Sequence, residues 1–167
     1  TAPKDGAFET LVIVYAPADL IGAVLPIMRA VENEYTPLYG RTLCAGVRTL
    51  DIERRDEQTL VLRPDDTFLK PPFCQVFRNP ELNPMKPGDT VKLTNMTATV
   101  EEVTEDGRPN QIAFHFNTPL EHPTLRWVAY DKTGKYAPFK LPAIGEKVTI
   151  TGPTMVDVAK SWFLGEE

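Results

Sequence analysis

Two cysteines, two histidines and no glycine-rich phosphate loop are a sparse toolkit for a chain of 167 residues, and each scarcity excludes a class of chemistry. Cys44 and Cys74 lie thirty positions apart, a spacing with no metal-ligand logic. They read either as a disulfide or as two free buried thiols acting as small hydrophobes. His115 and His122 cannot alone supply the three or four ligands that zinc needs. Neither a G-x-G-x-x-G nor a G-x-x-x-x-G-K-[ST] pattern occurs, so no phosphate-cradling turn is expected. A basic excess is also missing: 18 Lys+Arg stand against 23 Asp+Glu, a net charge of -5, and the cations are scattered. Nucleic acid is therefore not an expected partner. The chain opens on Thr1 with no charged-then-apolar leader, so a processed chain or an excised fragment is expected.

Long unbroken apolar runs are scarce as well. Residues 11 to 31 come closest to a membrane span, with only Asp19 and Arg29 charged, yet Asp19 and two prolines interrupt the run and its apolar residues favour one stripe. What the chain does have is 42% apolar residues, enough for a core, and sixteen prolines, which favour short strands joined by rigid connections. "ETLVIVYAP" (9 to 17) has the β-branched composition of a central strand. Leu20, Ile21, Val24, Leu25, Met28 and Val31 recur at helical spacing and predict a helix over 18 to 35, kinked or split at Pro26. Residues 41 to 64 read as short strands with a β-hairpin turning at Arg55-Asp56-Glu57. Residues 65 to 86 form a proline-rich ordered connection expected to pack Phe68, Phe73 and Phe77 against the core. From 87 onward the text is β, with turns at Asp106-Gly107 and Thr133-Gly134. "PGDTVKL" and "IGEKVTI" echo one another, though such turns are too common to count as a repeat.

Read in order, "LVIVYAPADLIGAVLPIMRAVE", "RRDEQTLVLRPDDTFL" and the stretch from "MKPGDTVKL" to "GEKVTI" resemble the C-terminal soluble domain of uncharacterised bacterial multi-pass membrane proteins. The resemblance implies a parent chain with transmembrane helices upstream of Thr1 and an extracytoplasmic position for this domain. It carries no activity, so it supplies no catalytic residue.

The chemical candidates are weighed against ordinary structural roles. In "QIAFHFN", Ile112, Phe114 and Phe116 share one strand face, which puts His115 on the other with Gln111 and Asn117. His122 belongs to the connection 117 to 124, so the two imidazoles need not converge. Cys44 and Cys74 sit at no evident helix N-terminus or strand-to-helix elbow, which a reactive thiolate requires. Asp51, Glu53, Asp56 and Glu57, then Asp65 and Asp66, then Glu101, Glu102, Glu105 and Asp106 cluster at hairpins, where solvated faces are the ordinary outcome; loose calcium binding lacks the ordered ligand spacing. "NMT" (95 to 97) matches a glycosylation acceptor that matters only in a eukaryotic secretory setting. Trp127, Tyr130, Tyr136 and Phe139 close a small core or, with Arg126, form a contact surface; if Leu125, Trp127 and Ala129 face the core, Arg126, Val128 and Tyr130 face outward.

These readings combine into a single α+β domain, 1–167. An N-terminal strand–helix unit packs on a predominantly antiparallel β meander, sandwich or small barrel. Its parts are a strand–helix–hairpin part (1–64), the connection (65–86), a β-rich part (87–153) and a tail (154–167). The expected function is an extracytoplasmic binding or scaffolding module without cofactor, metal or catalytic residues. Contact candidates are His115, His122, Arg126, Trp127 and Tyr130, and the partner is a protein or cell-envelope component. The competing expectation is a hydrolase with its site between the 65–86 loop and the 117–124 connection.

Overall fold

The computed structural model describes residues 8–18, 31, 36–69, 82–132 and 134–153. They form ten strands: β1 (Thr10–Tyr15), β2 (Tyr39–Thr42), β3 (Thr49–Arg54), β4 (Thr59–Pro64), β5 (Thr90–Lys92), β6 (Met96–Val103), β7 (Pro109–Phe116), β8 (Leu125–Tyr130), β9 (Tyr136–Pro138) and β10 (Lys147–Thr151). The expected α+β class is thereby corrected, because the described residues build two sheets and no helical element. The strand half of the expected strand–helix unit is β1; the helix assigned to 18–35 falls, apart from Ala18 and Val31, outside the described residues. That helix rested on apolar spacing and on Asp19 near its start; the described chain is organised by β-branched and alternating runs, which gain both backbone pairing and burial. The chain divides into two compact units, each with its own sheet.

The first unit takes residues 1–46, 121–140 and 152–167 and holds the sheet β2-β1-β8-β9. β1 runs parallel to both β2 and β8, and only β8 and β9 are antiparallel, which departs from the mainly antiparallel body expected. All six residues of β1 are buried, as the continuous run Leu11-Val12-Ile13-Val14 requires of a strand covered on both faces. Leu11, Ile13, Phe8 and Ala16 form a core cluster, with Val128 and Tyr136 packed against it. Tyr15 ends the strand with its ring over the backbone of Gly152 and its hydroxyl donating to the Pro153 carbonyl at 2.7 Å.

The second unit takes residues 47–120 and 141–151. Its sheet, β10-β3-β4-β7-β6-β5, is antiparallel throughout. β5, β6 and β7 follow one another as hairpins and β4 returns beside β7, a Greek-key arrangement. The order also reads as two mirrored triplets related by a pseudo-two-fold axis. Leu60 pairs with Phe114 and Leu62 with Ile112, crosswise about the central pair Val61–Ala113, so β4 corresponds to β7, β3 to β6 and β10 to β5.

The two echoing sequences obey the same symmetry. Gly88 (φ 93°) donates to the Val100 carbonyl at 2.8 Å while Val100 donates to Asp89 at 2.9 Å. Gly145 (φ 81°) donates to Arg54 at 2.7 Å while Arg54 donates to Glu146 at 3.1 Å. In each turn the acid's amide reaches back to a carbonyl, Asp89 to Lys86 and Glu146 to Ala143. In each its carboxylate accepts the amide of that same residue, at 2.9 Å from Lys86 and 2.7 Å from Ala143. Both are bulges with glycine in the left-handed region, and both launch an edge strand.

The apolar face of this sheet carries Leu50, Ile52, Leu60, Leu62, Met96, Phe114 and Phe116, all buried. Arg54 lies on it opposite Leu60 and is 6% exposed. Its guanidinium donates to the carbonyls of Asp56 at 3.1 Å and Pro142 at 3.3 Å, fastening the first hairpin turn to the segment before β10. Arg54→Met should therefore destabilise the protein by about 2–3 kcal/mol in urea unfolding, because the carbonyls lose a charged donor in a buried place; a change within error would remove Arg54 from the fastening role. Gly152→Ala should cost about 1–3 kcal/mol, since a β-carbon there overlaps the Tyr15 ring, and thermal unfolding unchanged by the substitution would show that the ring yields freely.

Candidate functional site

Alternation along each strand of the second unit fixes what the other face of its sheet presents. Thr149, Asp51, Arg63 and Gln111 lie in one cross-strand row; Lys147, Glu53, Val61, Ala113 and Thr99 in the next; Thr59, His115, Thr97 and Lys92 in a third. His115 thus shares its face with Gln111, as the alternation of "QIAFHFN" requires. It is exposed, and its Nδ1 lies 3.1 Å from Thr59 Oγ1. Across the pseudo-two-fold axis the equivalent pair is Arg63 and Gln111, with Arg63 Nε and a terminal nitrogen at 3.0 and 2.6 Å from Gln111 Oε1.

Arg55 and Glu101 cross this face between the two halves. They occupy equivalent positions after β3 and within β6, yet β4 and β7 stand between them in the sheet. The guanidinium closes a bidentate contact at 2.6 and 2.9 Å, the planar fork that matches a carboxylate. Val61 and Ala113, at the centre of the same face, are only 4% and 7% exposed, and the small Ala113 side chain leaves room for a strap above them. Gln111 donates to Glu101 Oε2 at 2.8 Å and Arg63 meets Glu102 Oε2 at 2.7 Å, so five side chains from four places in the sequence form one connected set. Lys147 with Glu53 at 2.9 Å and Thr149 with Asp51 at 2.6 Å extend it towards β10. The Arg55 contact, seconded by Gln111, holds the Glu101 carboxyl below its ordinary 4.5 against the opposing pull of burial. Asp56 is lowered chiefly by the Gln58 amide, which donates to it at 2.8 Å.

Asp51, Glu53, Val61, Arg63 and Lys147 line a shallow depression on this face. Its walls hold both signs of charge already in mutual contact, which suits recognition of a polar partner better than proton transfer. Among the described residues no three His, Cys, Asp or Glu side chains gather as a metal site would need.

The other candidates belong to the first unit. His122 Nδ1 lies 2.8 Å from Thr124 Oγ1 and accepts the Thr124 amide at 3.3 Å, a local turn in the Pro-rich connection. His115 and His122 therefore serve different units. The two-faced reading of β8, with Arg126, Val128 and Tyr130 outward if Leu125, Trp127 and Ala129 face the core, is corrected: the Arg126 guanidinium stands 5.4 Å over the Phe8 ring, Val128 packs half-buried against the core cluster, and Tyr130 is 7% exposed. Trp127 is 7% exposed too, so β8 is covered on both faces and alternation alone cannot name an outer one. Tyr130 packs edge-on against Tyr136 at 5.1 Å. Burial, with a smaller contribution from Tyr130, pushes the Tyr136 hydroxyl up to about 12. Cys44 is buried, while Cys74, Phe73 and Phe77 lie outside the described residues, as does Thr133 of the expected turn.

Arg55 and Arg63 are the site residues that sequence reasoning passed over, and Gln111 was named only as sharing the face of His115. The alternation Asp51, Glu53, Arg55 hints at a shared face, but only the β4–β7 register reveals which distant residues meet there. With this geometry in view, the chain matches no protein-family model, no curated protein and no solved structure.

The lowered Glu101 fixes the sign of a pH effect. Its contribution to stability is full above the unfolded value of 4.5 and is lost as pH falls through the lower folded value. Both partners are partly exposed, so Arg55→Gln should lose less than about 1 kcal/mol at neutral pH. The gap between variant and wild type should close as the solution is acidified below 4.5. Melting curves that stay a constant distance apart over that range would remove Glu101 as the cause.

Proposed function

We propose that this domain is a non-enzymatic binding or scaffolding module, held on the extracytoplasmic side of a bacterial membrane by a parent chain. The observation that carries the binding reading is the connected set Arg55–Glu101–Gln111–Arg63–Glu102 on the polar face of the six-stranded sheet. The carboxylates that could have served catalysis are engaged by arginine and glutamine, and the set holds arginine side chains in fixed geometry on an open β surface. Arginine in such a setting is a residue type favoured at protein interfaces, and interlocked side chains lose less freedom when a partner arrives. The partner is a protein or cell-envelope component with polar groups complementary to alternating charge. Placement outside the cytoplasm rests on the resemblance to membrane-anchored proteins alone.

The test pairs binding with turnover. The purified domain is immobilised and exposed to solubilised envelope proteins, beside an Arg63→Glu variant that reverses one charge of the set. A component retained by the wild type should lose at least about 1 kcal/mol of affinity for the variant. Hydrolysis of generic ester, phosphoester or glycoside substrates by the wild type, abolished in His115→Ala, would instead establish the hydrolase reading. A topology reporter fused to the parent chain should be active only outside the cytoplasm, and activity inside would withdraw the placement.

A further inference from the structure

The two edges of the six-stranded sheet are equivalent in backbone and unequal in cover. In β10, Val148 and Ile150 are half-buried; their counterparts beside the other edge, Val91 in β5 and Leu93 just after it, are 47% and 42% exposed. The shared architecture therefore does not require this apolar exposure. The hydrogen-bond pattern says which groups the edge offers. Val100 donates to Asp89 at 2.9 Å and Leu93 donates to Met96 at 2.8 Å, so Asp89, Val91 and Leu93 face β6 with their backbone groups. By the same alternation the N–H and C=O of Thr90 and Lys92 point away from the sheet. Among the described residues β5 pairs with β6 alone, and Thr90, Val91, Lys92 and Leu93 are all exposed.

The geometry points to β5 as a strand-addition site for an extended peptide whose side chains alternate acidic and apolar. A strand laid along β5 would take the backbone groups of Thr90 and Lys92, a recognition mode in which main-chain bonds give affinity and alternate side chains give selectivity. On the apolar face its side chains would continue Val91 and Leu93, which lie at the margin of the row holding Ala98, Phe114, Met96 and Phe116. On the polar face they would meet Lys92, which stands in the row of Thr97 and His115. Lys86 precedes the strand, and Asp89, the acid between them, turns its carboxylate back to the Lys86 amide and keeps its charge. Lys86 and Lys92 outnumber Asp89, which leaves one net positive charge along this edge in a chain of net charge -5, and Lys92 on the strand itself selects acidic side chains in the partner. The inference uses the β5 edge and not the connected set Arg55–Glu101–Gln111–Arg63–Glu102, so it stands apart from the function proposed above.

The experiment titrates the full 167-residue chain, 15N-labelled, with a capped peptide of alternating aspartate and valine, and with a control in which lysine replaces each aspartate. Saturable amide shifts at Thr90 and Lys92, spreading to Val91 and Leu93, are expected for the acidic peptide and not for the control. Lys92→Pro is the decisive variant, because proline is tolerated on an edge where the N–H faces solvent and removes no bond to β6. It should weaken the peptide by about tenfold or more while leaving the dispersed spectrum of the sheet intact. Arg63→Glu should leave the peptide titration unchanged, which separates this site from the polar face. Absence of saturable shifts, equal response to the lysine peptide, or shifts centred elsewhere would overturn the proposal. So would a concentration-dependent dimer broken by Lys92→Pro, which would make a second copy the occupant.

Discussion

The pairing of β4 with β7 is the constraint on which the larger sheet depends. Four Cα partners, from Thr59–His115 to Leu62–Ile112, join a hairpin made in the first half of the chain to one made about fifty residues later. Because side chains alternate, a slip of one residue there would send either Leu60 and Leu62 to the polar face or His115 to the core, so the register is strongly specified. The same register puts Arg55 and Glu101 at equivalent positions across the axis, where a cation on one half can meet an anion on the other. Like charges at those positions would repel; the opposite signs turn a symmetric frame into a fastened one. The strap is a modest contributor in free energy, since both ends see solvent, and its larger effect is to fix where the arginines sit.

Much of the strand layout was legible in the residues. "ETLVIVYAP" contains β1, the polar turn at 55 to 57 joins β3 to β4, and the alternation in "QIAFHFN" put His115 opposite the phenylalanines, where the structure has it. The α+β class was not recovered, because it rested on the apolar spacing of a single stretch. The face of β8 was misread for a physical reason: alternation names two faces, but only packing says how many are covered, and Phe8 covers the second. The connected polar set was illegible for another reason. Its members come from β4, β6, β7 and the turn that follows β3, and nothing local in the sequence states which strands will be neighbours.

The echo between "PGDTVKL" and "IGEKVTI" shows how weak sequence likeness can carry a specific backbone device. Each needs a glycine able to adopt positive φ and an acid one residue later whose amide and carboxylate both close the turn. Little else is shared, and the strands that follow diverge in burial. Conserving the turn while freeing the strand lets two equivalent edges acquire different surroundings.

The place of β10 has a consequence in time as well as in space. β10 lies against β3, and the Thr149–Asp51 contact closes 98 residues of chain, including the excursion through β8 and β9. β5, its counterpart, needs only the short turn to β6. Closure entropy grows slowly with loop length but is met before the contact rewards it, and long-range pairing is what slows β-rich chains. One half of the sheet is thus built wholly from strands adjacent in sequence, while in the other only the β3–β4 hairpin is, and the strand that covers the outer edge of β3 comes from 98 residues away.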